Sequence, residues 1–375
     1  MGLKKLRSLQ FIFVFYIFTS SVSFAKDLKK QIFDNYLKGT PLWMEKKLDE
    51  DFERYDGTFY TKEDLLNFIK LNQPDSREVF FLIEIRDGRV YIRNSEDRPV
   101  SNKLLGNFYL KSLYSSFKTV NQTFYIKNSY YLVSIDDSFS TDKKIPVLTF
   151  AKAKDSFSIC IPDCEALWGY NLIDTKLTKG MKQYPFENKI EKAFWRGSTT
   201  GGIFTPENWK IFPRSKLALF SSQNKDICDA KFTTIVQTSN QDHVTLKEQM
   251  SRIGILDSTV SIEDHLAYKY LIDIDGNSCT YSRLYWILKS NSLCLKHRSA
   301  NEQWYYKGLE PFVHYIPFNE DFSDLEEKIL WAKNNSDEVE KIIQNANQFA
   351  NESLKQSDAL LYLYKVLERY QNLLD

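Results

Sequence analysis

Residues 263–297 follow the order of a helix–strand–loop–helix–strand unit. The first strand of this unit is the short apolar run 270–274, which the turn formers 275–277 follow. A helical pattern begins at Arg283, and a second buried strand is predicted at 293–295. Because a strand that crosses over through a helix to a second strand is the unit of a parallel sheet, the segment predicts an α/β fold.

The loop inside this unit is rich in hydroxyl side chains and lies at the start of a helix. Ser278, Thr280 and Ser282 crowd it, and Arg283 follows directly. Helix N-termini attract anions, and a guanidinium group matches the geometry of a phosphate. The loop therefore predicts a phosphate-bearing ligand. The alternative is an ordinary crossover with Ser282 as N-cap and Arg283 at the surface.

A second unit of the same kind comes earlier in the chain. A predicted strand at 193–195 runs into the loop 196–202, and the next helix has Arg214 in its first turn. Arg214 and Arg283 together would suit a diphosphate, and Arg196 is an additional candidate. Neither loop has Walker or GxGxxG spacing, which argues against a P-loop nucleotidase or a dinucleotide dehydrogenase. Two unrelated surface arginines are the alternative.

A pair of carboxylates stands in the first half of the chain. Asp136 and Asp137 directly follow the predicted strand 131–135. Ligand clefts of α/β sheets open at the carboxyl ends of strands, where a carboxylate can act as a general base. Arginines that stabilise a diphosphate leaving group and a base that activates a hydroxyl are the requirements of sugar transfer from a nucleotide-sugar. A solvated acidic turn is the alternative for this pair.

The composition narrows the class of protein. A chain of 375 residues is long enough for two domains. Its 50 basic and 49 acidic residues nearly cancel, with no basic tail or stripe, so no nucleic-acid partner is expected. The 5 cysteines and 4 histidines lack the spacing of a metal site. We therefore expect no metal and no cofactor beyond a donor substrate.

The N-terminus predicts a targeting segment. Basic residues precede the apolar run 11–18, and small residues lead to Ala25. This pattern predicts a signal peptide cleaved after Ala25, with an uncleaved signal anchor that associates with a membrane as the alternative. The predicted location is the secretory pathway or a membrane: the endoplasmic reticulum lumen in a eukaryote, the inner membrane or periplasm in a bacterium.

Local patterns predict the remaining elements. Thr61 and Asp64 predict a capped helix, and Asp87-Gly88 predicts the turn of a hairpin over 79–92. Strands are also predicted at 124–126 and 146–150, a helix at 104–117, a linker at 175–187, a helix at 321–334, and two helices over 337–374 that break near 353–357.

Five motifs occurring in one order resemble a known family. The set is similar to the CAP10-domain glycosyltransferases, family 90, which include the Rumi-type protein O-glucosyltransferases, a fungal capsule protein and bacterial lipopolysaccharide-modifying enzymes. The similarity is strong over about 190–335, weaker over about 125–170 and close to absent before residue 75. The motifs are Phe194-Trp195-Arg196-Gly197-Ser198, RSKLALFS from Arg214, Glu263-Asp264-His265 with Tyr268-Lys269-Tyr270-Leu271, Tyr281-Ser282-Arg283, and His314-Tyr315-Ile316-Pro317.

The resemblance implies a GT-B fold, in which two Rossmann-like domains face each other across a cleft. The C-terminal domain of such a protein holds most of a UDP-sugar. The implied organisation is a signal peptide or anchor (1–25), an acceptor-side α/β domain with a helical start (26–185), a nucleotide-sugar domain (186–335) and C-terminal helices (336–375).

The resemblance also implies site residues. Ser198 and Arg214 match positions that contact the nucleotide-sugar. Asp137 matches the catalytic aspartate, because LVSIDDSF precedes PVLTF as the family pattern requires. Asp136 stands where Rumi-type enzymes carry Arg, and Ser138 where they carry an aromatic residue, which indicates a different acceptor. The segment that wraps the diphosphate corresponds to Ser278, Cys279, Thr280, Tyr281, Ser282 and Arg283.

The resulting hypothesis is an inverting glycosyltransferase. It would move a hexose or pentose from a UDP-sugar to a hydroxyl of a lipopolysaccharide, a polysaccharide or a protein serine. The alternative is a non-catalytic, secreted sugar- or nucleotide-binding protein on the same fold. The two differ at Asp137, because a binding protein needs no base that faces the cleft.

Overall fold

A computed structural model of the chain describes residues 26–137 and 139–375. The targeting segment predicted for 1–25 lies outside them. Within the described ranges, no helix has both the length and the apolar character needed to cross a membrane. The described part opens with the helices α1 (26–37), α2 (Leu42–Phe52) and α3 (Lys62–Asn72).

The cap predicted for the third helix is confirmed. Thr61 Oγ1 accepts a hydrogen bond from the Asp64 N–H, and the Asp64 carboxylate accepts one from the Thr61 N–H. This capping box satisfies two backbone donors that a helix start would otherwise leave unpaired.

The first half of the chain builds a five-stranded sheet. Its order is β2-β1-β3-β4-β6, antiparallel from β2 to β3 and parallel from β3 to β6. The predicted hairpin is confirmed: Asp87 and Gly88 have φ angles of 51° and 72°, as a two-residue hairpin turn requires. The strands are β1 (Phe80–Arg86), β2 (Arg89–Arg93), β3 (Ser129–Ser134), β4 (Val147–Thr149), the separate β5 (Lys152–Ala153), and β6 (Ile159–Cys160).

The helices of this half differ from the predictions in two places. The strand predicted at 124–126 is wrong, because the helix that begins at Phe108 runs to Phe124 and Tyr125 ends it in the left-handed conformation (φ 53°). The linker predicted at 175–187 is largely helical, with Leu177 and Gly180 on the buried face. The helices are α4 (Asn102–Leu105), α5 (Phe108–Phe124), α6 (Cys164–Trp168) and α7 (Asn171–Gln183).

The second half builds a five-stranded, all-parallel sheet of order β12-β10-β9-β7-β8. The crossover predicted for 263–297 is confirmed, because β9 pairs in parallel with β10. The strands are β7 (Ile190–Ser198), β8 (Cys228–Thr234), β9 (Tyr268–Asp273), β10 (Leu293–His297), β11 (Asn301–Glu302), which pairs with β5, and β12 (Ile316–Phe318). The helices are α8 (Pro213–Gln223), α9 (Asn240–Ile253), α10 (Ile262–His265), α11 (Ser282–Lys289) and α12 (Leu325–Asn334).

Two C-terminal helices, α13 (Ser336–Ser353) and α14 (Gln356–Gln371), complete the fold and confirm the predicted break. The first packs on α11 and β10 of the second half, whereas the second returns to the first half. There Tyr370 Oη donates to Pro146 O (2.8 Å) and accepts from the Leu132 N–H (3.2 Å). The chain thus has the predicted GT-B architecture, two α/β halves with a helical C-terminal segment.

Candidate functional site

A cleft of about 430 Å³ lies at the carboxyl ends of the second sheet's strands, with Asp137 of the first half on its wall. It brings together candidates that are far apart in sequence. Asp136 and Ser282 are the two candidates outside the lining. The predicted residues that line it are Asp137, Arg196, Ser198, Arg214, Ser278, Cys279, Thr280, Tyr281 and Arg283.

Arg214, in the first turn of α8, holds together the loops that follow β7 and β9. Its Nε donates to Asp275 O (2.9 Å), Nη1 to Ser198 O (3.0 Å) and Nη2 to Ile274 O (3.4 Å). Within the described ranges these bonds use three of its five N–H groups, which leaves two for a ligand. Burial, with the positive charge of Arg283 nearby, lowers the pKa of Arg214 to about 10, so it stays charged at neutral pH.

Arg283 approaches the same cleft from the start of α11. Its Nη2 donates to the backbone oxygen of Arg196 (2.8 Å), and its guanidinium lies over the Trp286 ring, 5.8 Å from the centroid. Burial lowers its pKa below the usual value. The guanidinium groups of Arg214 and Arg283 are half-buried and lie close enough for the charge of one to lower the pKa of the other. They create a positive field, and such a field favours an anion.

The N-terminus of α11 has no side-chain cap among the described residues. Tyr281, not Ser282, is the N-cap residue. Tyr281 has φ 48° and ψ −116°, a costly conformation for a residue with a Cβ. Its hydroxyl donates to Asp137 O (2.9 Å), which helps to hold it there. The N–H of Arg283 donates to Thr280 O (3.1 Å), so the other first-turn N–H groups and the helix dipole remain available to an anionic ligand.

A buried ion pair between β10 and β9 holds the loop that precedes α11. Lys296 Nζ lies 2.8 Å from Asp273 Oδ2, and Thr280 donates its hydroxyl hydrogen to the same carboxylate. Ser278 and Cys279 are buried, and burial raises the pKa of the Cys279 thiol well above its usual range. Thr280 and Cys279 thus shape the loop through contacts inside the protein.

Arg196 is placed differently from the other two arginines. It is 6% exposed and forms ion pairs with Asp229 (2.9 Å) and Asp257 (3.0 Å). Its guanidinium also lies over the Phe194 ring, 4.4 Å from the centroid. Its charge is therefore matched inside the protein, although its side chain borders the cleft.

The two neighbouring aspartates face different partners. Asp136 forms an ion pair with Arg77 at 2.5 Å and does not line the cleft. Asp137 lines it, and its Oδ2 lies 3.5 Å from Asn277 Nδ2, on the loop between β9 and α11. A carboxylate from the first half thus stands beside the loop of the second half for which the sequence predicts a phosphate-bearing ligand.

Several residues at the cleft were not predicted as site residues. Asn277 borders Asp137, and Thr200, Thr233, Thr259 and His265 line other parts of the wall. His265 belongs to one of the family motifs, so its position in that motif was the available signal. No cluster of three or more His, Cys, Asp or Glu side chains suited to a metal ion occurs in residues 26–137 and 139–375.

Comparison with protein families assigns the chain to a class. Residues 44–375 match the model of glycosyl transferase family 90, and the chain belongs to that family. It is 28% identical over 295 residues to protein O-glucosyltransferase 2 of Danio rerio, covering 77% of this chain and 55% of that protein. It is 26% identical over 303 residues to human protein O-glucosyltransferase 3, with coverages of 79% and 55%. The chain spans just over half the length of these relatives.

Solved structures show more distant similarity. The complex of HepE from Anabaena with UDP aligns with a TM-score of 0.33 and 12% identity, covering 52% of each chain. A glycosyltransferase from Rickettsia africae aligns with a TM-score of 0.34 and 12% identity, covering 62% of this chain and 65% of its own.

Proposed function

We propose that this protein is an inverting glycosyltransferase that moves a sugar from a UDP-sugar to an acceptor hydroxyl. The observation that carries the proposal is the cleft that Asp137, Arg214 and Arg283 all line. Asp137 lies there beside Asn277, on the loop between β9 and α11. Membership of glycosyl transferase family 90 supports the reaction class. UDP as the nucleotide is what the sequence resemblance implies.

The proposed reaction is a single displacement. The Asp137 carboxylate takes the proton of the acceptor hydroxyl as that oxygen attacks the anomeric carbon. The bond from the anomeric carbon to the diphosphate oxygen breaks, and UDP leaves with the bonding electron pair. Arg214, Arg283 and the N-terminus of α11 stabilise the negative charge that develops on the leaving group. Attack opposite the leaving group inverts the anomeric configuration.

The competing proposal is a sugar- or nucleotide-binding protein without catalysis. Such a protein would need the arginines but no base. The position of Asp137 at the cleft, with Asp136 in an ion pair with Arg77 outside it, favours the enzyme. An aspartate that served only as a solvated turn would have no reason to stand at the anion-binding loop.

The test compares two neighbouring variants. UDP release from UDP-glucose is measured with serine-containing peptides and with polysaccharide acceptors, for the wild type, Asp137→Asn and Asp136→Asn. We expect Asp137→Asn to reduce transfer by at least 10²-fold, since general-base catalysis typically contributes 10²–10⁴, and to leave UDP binding nearly intact. Asp136→Asn should retain most transfer. Full transfer by Asp137→Asn would remove it as the base, and wild type that binds UDP but transfers to no acceptor would favour the binding protein.

The acceptor and the donor sugar form a further part of the proposal. The relatives are named protein O-glucosyltransferases, which supports glucose as the sugar and a protein hydroxyl as the acceptor. Mass spectrometry of the product identifies the modified group, and nuclear magnetic resonance gives its anomeric configuration. Retention of the donor configuration would contradict the single displacement.

A further inference from the structure

His265 stands at the cleft with half of its hydrogen-bonding capacity unused. It is the last residue of α10, is 4% exposed and lines the cleft. The rings of Phe194 and Trp286 hold it edge to face, with centroid distances of 5.1 and 5.4 Å. Such packing on two sides fixes the orientation of the imidazole.

The tautomer of this histidine follows from its one hydrogen bond. Nδ1 lies 2.7 Å from the backbone oxygen of Ser261, which can only accept, so Nδ1 carries the hydrogen. Burial, together with the positive charge of Arg283, lowers the pKa of His265 to about 4. The ring is therefore neutral at physiological pH, and its Nε2 is a hydrogen-bond acceptor.

That acceptor is buried and has no partner in the described part of the protein. A buried acceptor is unfavourable unless a donor reaches it, and buried polar atoms without partners often mark a place where something binds. Arg196 and Arg283, whose positive charges act on His265, line the same cleft and carry N–H groups only. A phosphate oxygen suits the arginines but cannot pair with Nε2, because both atoms are acceptors.

We propose that His265 Nε2 accepts a hydrogen bond from an N–H or O–H group of the bound nucleotide-sugar and so selects which donor substrate binds. The proposal rests on the proposed function, since it places that substrate in this cleft. Three groups of a UDP-sugar supply the required donor: the N3–H of uracil, a ribose hydroxyl and a sugar hydroxyl. If uracil is the partner, CDP is rejected, because N3 of cytosine is an acceptor.

Two substitutions separate the acceptor from the rest of the side chain. His265→Asn places an amide donor near the position of Nδ1, where it can still pair with Ser261 O, and removes the atom at Nε2. His265→Gln reaches farther and returns an acceptor to that position. We expect Asn to weaken binding of UDP-glucose by about tenfold, the loss of one hydrogen bond, and Gln to restore most of it. Calorimetric titration measures both, and thermal unfolding checks that each variant is folded.

Substrate analogues identify the group that pairs with Nε2. Wild type and His265→Asn are titrated with UDP, UDP-glucose, N3-methyl-UDP, 2′-deoxy-UDP and 3′-deoxy-UDP. The analogue that lacks the N–H or O–H group paired with Nε2 should bind wild type about tenfold more weakly than unmodified UDP does. The same analogue and unmodified UDP should bind His265→Asn equally well. A variant that loses affinity for UDP-glucose but not for UDP assigns the bond to the sugar.

The outcomes are distinguishable. If His265→Asn binds UDP-glucose as tightly as wild type, the inference is overturned. It is also overturned if the variant loses affinity but no analogue, and no difference between UDP and UDP-glucose, reproduces that loss, because the loss would then be a structural effect. If the variant does not fold, ¹⁵N resonance measurements on wild type decide: the Nε2 signal must move when UDP or UDP-glucose is added, and an unmoved signal overturns the inference. Wild type that binds none of these ligands would instead contradict the proposed function.

Discussion

The arginine side chains at the cleft differ in whether a carboxylate of the protein pairs with them. An arginine without such a partner is the better candidate to bind a diphosphate. Arg196 forms ion pairs with Asp229 and Asp257. Arg283 forms no ion pair with any residue in 26–137 or 139–375. We therefore expect Arg283→Ala to weaken UDP binding by about 1.5–3 kcal/mol, the range for hydrogen bonds to charged groups. Titration calorimetry with UDP measures the change.

Arg196→Ala is the matched control for this prediction. It removes the described cation partner of Asp229 and leaves Asp257 with Lys231, but preserves the backbone oxygen that accepts from Arg283. We expect it to lower the free energy of unfolding, measured in urea, more than it lowers UDP affinity. Arg283→Ala with unchanged UDP affinity would remove that residue from the site, and a larger affinity loss in Arg196→Ala would reverse the two roles.

The candidate site was predictable where a residue's chemistry and its neighbours in sequence suffice. The positions of Arg214 and Arg283 beside helix starts follow from local patterns. The separation of Asp136 from Asp137 does not, because it depends on Arg77, which is distant in sequence. The orientation of Thr280 depends on Asp273, at the end of β9, and that carboxylate is in turn held by Lys296 of the neighbouring strand β10, which a local pattern does not show.

At the scale of elements, helix α7 shows why a glycine in a polar segment need not end a helix. Gly180 lies where α7 meets the segment that begins with α10: a Cβ there would be 2.8 Å from Leu266 Cδ1 and 2.9 Å from the Glu263 Cα. The glycine therefore permits close packing of two helices. A partner this far away in sequence is not visible in a local pattern, in which a polar segment with Gly180 and Pro185 predicts a linker.

This packing predicts that alanine at position 180 lowers the free energy of unfolding, whereas helix propensity alone predicts that it raises it. Alanine normally favours a helix over glycine by about 1 kcal/mol, but the backbone of Glu263 cannot move aside cheaply. We expect Gly180→Ala to lower the free energy of unfolding by about 1–3 kcal/mol, as overpacking does. Lys179→Ala, on the exposed side of the same helix, should stay within about 0.5 kcal/mol of wild type. Urea unfolding measures both, and a stabilised Gly180→Ala would contradict the packing argument.

At the scale of the whole molecule, the two halves are joined by buried charges as well as by the C-terminal helices. The strand β5 of the first half pairs with β11 of the second. Lys47, on α2, is fully buried and lies 2.9 Å from both Asp51 and Glu302 of β11. Asp51 also lies 2.6 Å from the buried Lys152. Apart from the i,i+4 spacing of Lys47 and Asp51, the sequence gives no sign of this network, because its members come from three separate elements, α2, β5 and β11.

Asp51 is the centre of this network, so its charge should matter most. Asp51→Asn keeps the side chain's size but leaves Lys47 with Glu302 (2.9 Å) and the more distant Glu50 (3.5 Å). It leaves Lys152 without a carboxylate partner among the described ion pairs. Breaking a buried pair on one side typically costs about 3–5 kcal/mol, and we expect that loss in urea unfolding. Glu338→Gln, which removes an exposed pair with Lys341, should leave unfolding unchanged. Equal stability of the two variants would show that water reaches the network and that the halves are held by apolar packing instead.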